Sequence, residues 1–192
     1  ADMAPVEEGR AWSWVAWMAL GTVLVLVTLD IASFVGFAEL KPHGDWDAWV
    51  SWNLRARFLF LGEAQWQRAF SPLVPRACPG YPVFLPCLIA RCWFYAGTDT
   101  TLVPIAVAAI FTFSTAGLGA SALGVLRGKT SALVAACVLL GTPMLITHGV
   151  SQYADVPTAF FLLATIVLLV LANRVGKASY RLLALAGAFC GL

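Results

Sequence analysis

Three stretches of this chain, Leu102 to Leu126, Thr130 to Thr147 and Val156 to Asn173, contain no Asp, Glu, Lys or Arg. Each is close to the ~20 apolar residues that a helix needs to cross the hydrocarbon of a bilayer. A fourth stretch runs from about Trp12 to Phe37 and is broken only by Asp30, and a fifth begins at Leu182. Composition agrees: 60% of residues are hydrophobic and 11% charged, with mean hydropathy +0.83, against about 25% charged residues in soluble domains. Backbone polar groups in lipid must pair within their own segment. The sequence therefore predicts an all-α, polytopic transmembrane helical bundle, with spans over about 12–37, 102–126, 130–149, 156–173 and 181–192. A last helix halting at Leu192 would leave open carbonyls in hydrocarbon, so the chain reads as the N-terminal part of one larger transmembrane domain.

The net charge of +2 is too small and too dispersed for nucleic-acid binding. The five cysteines have neither zinc spacing nor a CxxC pair and read as packing residues. The first apolar segment is too long for a cleavable signal and reads as a retained anchor.

Sidedness turns on Tyr81 to Ala96, an apolar segment that carries Pro82, Pro86 and Arg91. If it spanned, the Arg127-Gly128-Lys129 loop would fall outside, against the positive-inside rule. If it lies in the interface, Arg10, Arg127, Lys129, Arg174, Lys177 and Arg181 all face the cytoplasm, and this is the arrangement we expect. Residues 38–101 then form one long external segment, and Asp47 and Asp155 share its compartment. From Asp45 to Gly62 the apolar Trp46, Trp49, Val50, Leu54, Phe58 and Leu61 recur at helical spacing, with Asp47, Asn53, Arg55 and Arg57 elsewhere around the wheel. This predicts an amphipathic juxtamembrane helix. A second surface helix is expected over Pro82 to Ala96, entered through the Pro/Gly-rich turn 72–82. Trp12, Trp14 and Trp17 read as an aromatic belt, and Trp46, Trp49 and Trp52 as interfacial anchors.

Three pieces in order carry a resemblance: Gly44-Asp-Trp-Asp-Ala-Trp-Val-Ser-Trp-Asn-Leu-Arg-Ala-Arg57 after the first span, Gly80-Tyr-Pro-Val-Phe-Leu-Pro86 opening the next helix, and Ser151-Gln-Tyr-Ala-Asp-Val-Pro157 at the mouth of a later span. Together they resemble the GT-C superfamily of polytopic glycosyltransferases, the group of the protein O-mannosyltransferases and aminoarabinose transferases. That family places an acidic motif in the first external loop, two juxtamembrane helices after it and a second acidic residue in a later external loop.

The resemblance implies transfer of a sugar from a polyprenyl-phosphate carrier to an acceptor with inversion, at a site facing the periplasm of a bacterial inner membrane. Inversion needs a base opposite the leaving group, and a carboxylate suits it. Asp47 is the expected base, with Asp155 and Asp45 as further catalytic candidates. An anionic leaving phosphate needs positive charge, which makes Arg57, Arg76, Arg55 and Arg68 the available cations and adds Tyr81 to the substrate-binding set. Some relatives bind a divalent cation; His43 and His148 could join the aspartates around one, but their spacing is no ligand signature.

Structural roles compete. Asp45 is also placed to cap the helix, Asp47 to gain from the helix dipole, and Asp155 to open a helix ahead of Pro157. Asp30 is either functional within its span or interfacial if the first helix ends early. The rival class is a transporter or structural membrane subunit, with Asp30 and Asp155 along an ion path and a helix break at Gly141-Thr142-Pro143.

Overall fold

Ser13 has the extended backbone of a helix cap, and its Oγ accepts from the Ala16 amide at 3.3 Å. The first span, α1 (Trp14–Leu40), starts there. The computed structural model describes residues 13–73, 78, 80–175 and 179–191, and among these every regular element is helical. A π turn (Ala48–Trp52) runs directly into α2 (Asn53–Leu61), and a 3-10 helix (Glu63–Phe70) follows. Then come α3 (Phe84–Ala96), α4 (Leu102–Arg127), α5 (Lys129–Leu140), α6 (Pro143–Val150), α7 (Asp155–Val175) and α8 (Tyr180–Cys190).

Three of these, α1, α4 and α7, are long and apolar enough to cross a membrane, so this is an integral membrane protein. A fourth crossing is made if α5 and α6 count together, but they are bent by 58°. The expected single span over 130–149 is thus two helices. Thr142 takes an extended backbone and Pro143 brings no amide to continue α5, so the ladder stops and restarts. At 13 residues α3 reaches about 20 Å, short of the ~30 Å hydrocarbon core. It starts at Phe84, two residues later than expected, and ends on Gly97, whose φ of +69° supplies the left-handed cap. Since α1 runs unbroken to Leu40, Asp30 lies well inside it rather than at an early helix end.

Small residues let the spans approach. A Cβ on Gly119 would meet Leu139 of α5, and one on Gly149 would meet Thr112 of α4. Ala116, Ala136 and Leu140 pack against Val23, Leu26 and Val27 of α1. This is how helices associate where lipid removes any hydrophobic preference between them. The hydroxyls of Thr112, Thr115 and Thr165 donate to carbonyls one turn back, so none is left open. An aromatic cluster joins the layers: Phe84 of α3 stacks edge-on against Phe161 of α7, which also meets Phe111 of α4. Beside it Trp93 is buried, and its indole donates to the Thr100 carbonyl at 2.7 Å.

The charged residues at the ends of α4 and α7 gather. Arg174 of α7 donates to the Leu126 carbonyl at 3.4 Å, which gathers Arg127, Lys129 and Arg174 at one end of the bundle. At the other end the chain leaving α1 meets the chain entering α7. Arg10, Trp12 and Lys177 lie outside the described residues.

Gly149→Ala should destabilise the protein by about 1–3 kcal/mol, because its Cβ has no room against the fully buried Thr112. Thermal unfolding in detergent checks this against Gly117→Ala, whose Cβ meets nothing within 4 Å. Equal stability of the two variants would refute the α4–α6 packing.

Candidate functional site: an acidic cluster under an inter-loop clasp

The chain leaving α1 turns at Gly44, where φ is +75° and a Cβ would sit 2.6 Å from the Ser151 carbonyl oxygen and 2.7 Å from the Ala48 Cβ. Only glycine satisfies both the dihedral and the space. The close approach lets the Asp45 amide donate to the Ser151 carbonyl at 3.1 Å. Gln152 then closes the junction. It is 4% exposed, with φ +59°. Its Nε2 donates to the Pro42 carbonyl at 3.2 Å, and its Oε1 accepts from Asn53 Nδ2 at 2.7 Å. Asn53 Nδ2 also reaches the His43 carbonyl at 3.3 Å. Two loops about a hundred residues apart in sequence are thereby clasped by side-chain amides, and the strain of a non-glycine residue at positive φ is held by these contacts.

The clasp fixes where the aspartates stand. Asp45 is engaged: its carboxylate takes Lys41 Nζ at 2.6 Å and the Trp46 amide at 3.0 Å. The Lys41 ammonium first, and the Trp46 amide second, hold its carboxyl below the usual carboxylate value. It does not cap the helix with its side chain; its main-chain carbonyl accepts from the Ala48 and Trp49 amides instead. Asp47 is exposed and caps nothing with its side chain. Asp155 is exposed in the first turn of α7.

Tyrosines bring the aspartates into one field. The Tyr81 hydroxyl is pushed above its usual value chiefly by Cys78, with smaller contributions from burial and from the negative charges of Asp47 and Asp155. Tyr153 is pushed up by burial and then by Asp45 and Asp47. Asp45 and Asp47 thus act on Tyr153, and Asp47 and Asp155 on Tyr81, where the loop after α1 meets the entrance to α7.

Behind this junction lies Arg55. The wheel places it on the polar side of an interfacial helix, and the structure turns that side into the protein. Arg55 is 1% exposed, Asn53 is buried, and Trp46, Trp49 and Leu61 face outward. Trp52 is buried too, stacked on Tyr81 at 5.4 Å, which corrects its reading as an interfacial anchor. The widened π turn sets this orientation, and such turns are frequent at functional sites. Arg55 Nη2 donates to the Tyr81 carbonyl at 3.0 Å, and the guanidinium lies 5.1 Å from the centre of the Phe70 ring. Its Nε and Nη1 have no hydrogen-bond partner among the described residues. Burial lowers its affinity for its proton, although an arginine stays charged.

The other cations separate from the cluster. Arg57 lies 3.3 Å from Asp99 and lines two clefts beside the cluster that include neither Asp47, Asp155 nor Tyr81. Arg68 lines the first of them. Arg76 lies outside the described residues. His43 lines the second cleft, and His148 packs edge-on against Tyr153. Among the described residues no three His, Cys, Asp or Glu side chains gather to hold a metal ion, so the divalent cation that the resemblance allows finds no such ligand set there.

The fold defines an integral membrane protein, helical throughout its described regular elements, with three helices long and apolar enough to span and with Asp45, Asp47 and Asp155 on segments joined at one end. No family model, curated protein or solved structure matches the chain.

Gln152→Ala should cost about 1–3 kcal/mol, since Asn53 and the Pro42 carbonyl lose buried partners. Chemical unfolding in mixed micelles measures it, and a variant as stable as the parent would show that the clasp holds nothing. The lowered Asp45 carboxyl makes the Lys41–Asp45 contribution present above its ordinary value of 3.8 and lost as pH falls through the lowered value.

Proposed function

We propose that the chain belongs to a membrane glycosyltransferase that moves a sugar from a polyprenyl-phosphate carrier to an acceptor, with its site on the external face. The observation that supports this is that the clasp brings the loop carrying Asp47 to the entrance of α7 carrying Asp155, beside a buried guanidinium whose Nε and Nη1 have no hydrogen-bond partner among the described residues. In the reaction the acceptor hydroxyl attacks the anomeric carbon and the new C–O bond forms. Asp47 takes the hydroxyl proton, and the bond to the phosphate oxygen breaks with inversion. Arg55 is the cation best placed behind the cluster to steady the leaving phosphate, while Arg57 is shared with Asp99. Asp155 orients the donor or acceptor across the cluster.

A transporter or structural subunit draws on a different observation. Asp30 Oδ2 is buried without a hydrogen-bond partner among the described residues, on a helix that packs against the bent α5–α6 pair. A second broken pair, the mark of transporter halves, is missing among the described residues.

Asp47→Asn should lower transfer by about 10² to 10⁴ while leaving the protein folded, since an amide cannot accept the proton. Asp45→Asn, removing only an ion pair with Lys41, should stay substantially active. Arg55→Met should fold as well as the parent, because replacing a buried charge by an apolar side chain is often neutral or stabilising, yet lose donor binding. Radiolabelled sugar transfer from a polyprenyl-phosphate donor reads all three, and parental activity in Asp47→Asn would end the assignment. A transporter would instead lose flux in Asp30→Asn with these three unaffected.

Sidedness is checked independently. A cysteine placed at position 128 should be shielded from an impermeant thiol reagent in intact cells, and one at position 47 should label. Strong external labelling at 128 would invert the arrangement.

A further inference from the structure

Gly62 ends α2 with ordinary dihedrals, but a Cβ there would lie 2.3 Å from the Phe58 carbonyl oxygen and 2.9 Å from the Trp66 Cα. The next residue, Glu63, has φ +41°. This tight reversal folds the 3-10 helix back along α2 and leaves a cleft of about 500 Å³ between them. One wall is apolar, from Leu54, Phe58 and Leu61 at helical spacing. Arg57 and Arg68 line the same cleft with Glu63. Arg68 is exposed and makes no ion pair among the described residues. A second cleft of about 510 Å³ shares Leu54 and Arg57 and extends to Leu40, Lys41 and Asn53. Asn53 is 5% exposed, and its Oδ1 is buried with no hydrogen-bond partner among the described residues.

Position narrows the occupant. Leu40 is the last residue of a spanning helix, so the paired clefts begin where that span leaves the hydrocarbon, at the depth of lipid headgroups. A purely apolar ligand would leave Arg68 without an anion, and a free anion would leave the Leu54–Phe58–Leu61 wall wet. We propose that the paired clefts bind an anionic glycerophospholipid, with acyl chain against Leu54, Phe58 and Leu61, phosphate in the field of Arg57 and Arg68, and a headgroup hydroxyl donating to Asn53 Oδ1. Neither cleft includes Asp47, Asp155, Tyr81 or Arg55, so this is a second site, and it stands whether or not the protein transfers sugar.

The test titrates the purified chain in neutral micelles with phosphatidylglycerol and with phosphatidylcholine, reading retained lipid by native mass spectrometry and binding by thermal shift. Phosphatidylglycerol should bind about fivefold more tightly, the scale expected for one basic residue near a lipid surface, and the preference should shrink as salt rises. Arg68→Ala should abolish the preference, whereas Leu61→Ser should weaken both lipids alike. Asp47→Asn should bind phosphatidylglycerol like the parent, which separates this site from the transferase reading. Equal binding of the two lipids, or a preference kept in Arg68→Ala, overturns the proposal. So does displacement of phosphatidylglycerol by inorganic phosphate, which would mark a simple anion site, or by a polyprenyl phosphate at lower concentration, which would give the cleft to a sugar carrier.

Discussion

The side-chain amides of Gln152 and Asn53 hold together the end of this molecule where α1 exits and α7 begins. Helices in a bilayer satisfy their own backbones, so the spans alone do not dictate how the loops between them meet. Here Gln152 Nε2 takes the Pro42 carbonyl and its Oε1 takes Asn53, while Gly44 lets the Asp45 amide reach Ser151. These bonds tie the exit of α1, the π turn into α2 and the entrance to α7. Every carboxylate of the acidic cluster is carried by one of those three segments.

The same junction divides the charges by role. Asp45 and Lys41 neutralise each other at the surface, as do Arg57 and Asp99, and exposed pairs of this kind add little stability. Arg55 is different, because it is buried and its Nε and Nη1 have no hydrogen-bond partner among the described residues. A buried guanidinium with unspent hydrogen-bonding capacity is costly, and that cost is why Arg55 enters the proposed transfer site, while the more exposed Arg57 and Arg68 enter the proposed lipid cleft.

Much of the architecture was legible from charge spacing. The runs without Asp, Glu, Lys or Arg mark α4 and α7 closely, the stretch broken only by Asp30 marks α1, and Tyr81 to Ala96, kept out of the bilayer on the positive-inside rule, holds a helix of 13 residues. Periodicity found the helix after Asp45 but not what its polar side faces, because a wheel assumes water opposite the apolar stripe, and here that side meets Gln152 and the Tyr81 carbonyl. Trp52 was misread for the same reason. Of the site, Asp47, Asp155 and Tyr81 were named from short motifs. Tyr153 and Asn53, both inside quoted motifs, were passed over, and so was Asp99. No local pattern pairs residue 53 with residue 152, and no spacing shows that Arg57 has a partner 42 positions away. Gly44 carried the one usable signal, a glycine just where an acidic loop begins.

The π turn at Ala48–Trp52 has an arithmetic consequence. Each residue added to or removed from an α-helix rotates everything beyond it by about 100°. A single-residue deletion that restored an ordinary turn would leave α2 as helical as before. It would nevertheless swing Asn53 away from Gln152 and carry Arg55 off the Tyr81 carbonyl, toward the side where Trp46 and Trp49 now face outward. The angular register of α2 thus hangs on one surplus residue, so this segment should tolerate many substitutions while rejecting changes in length.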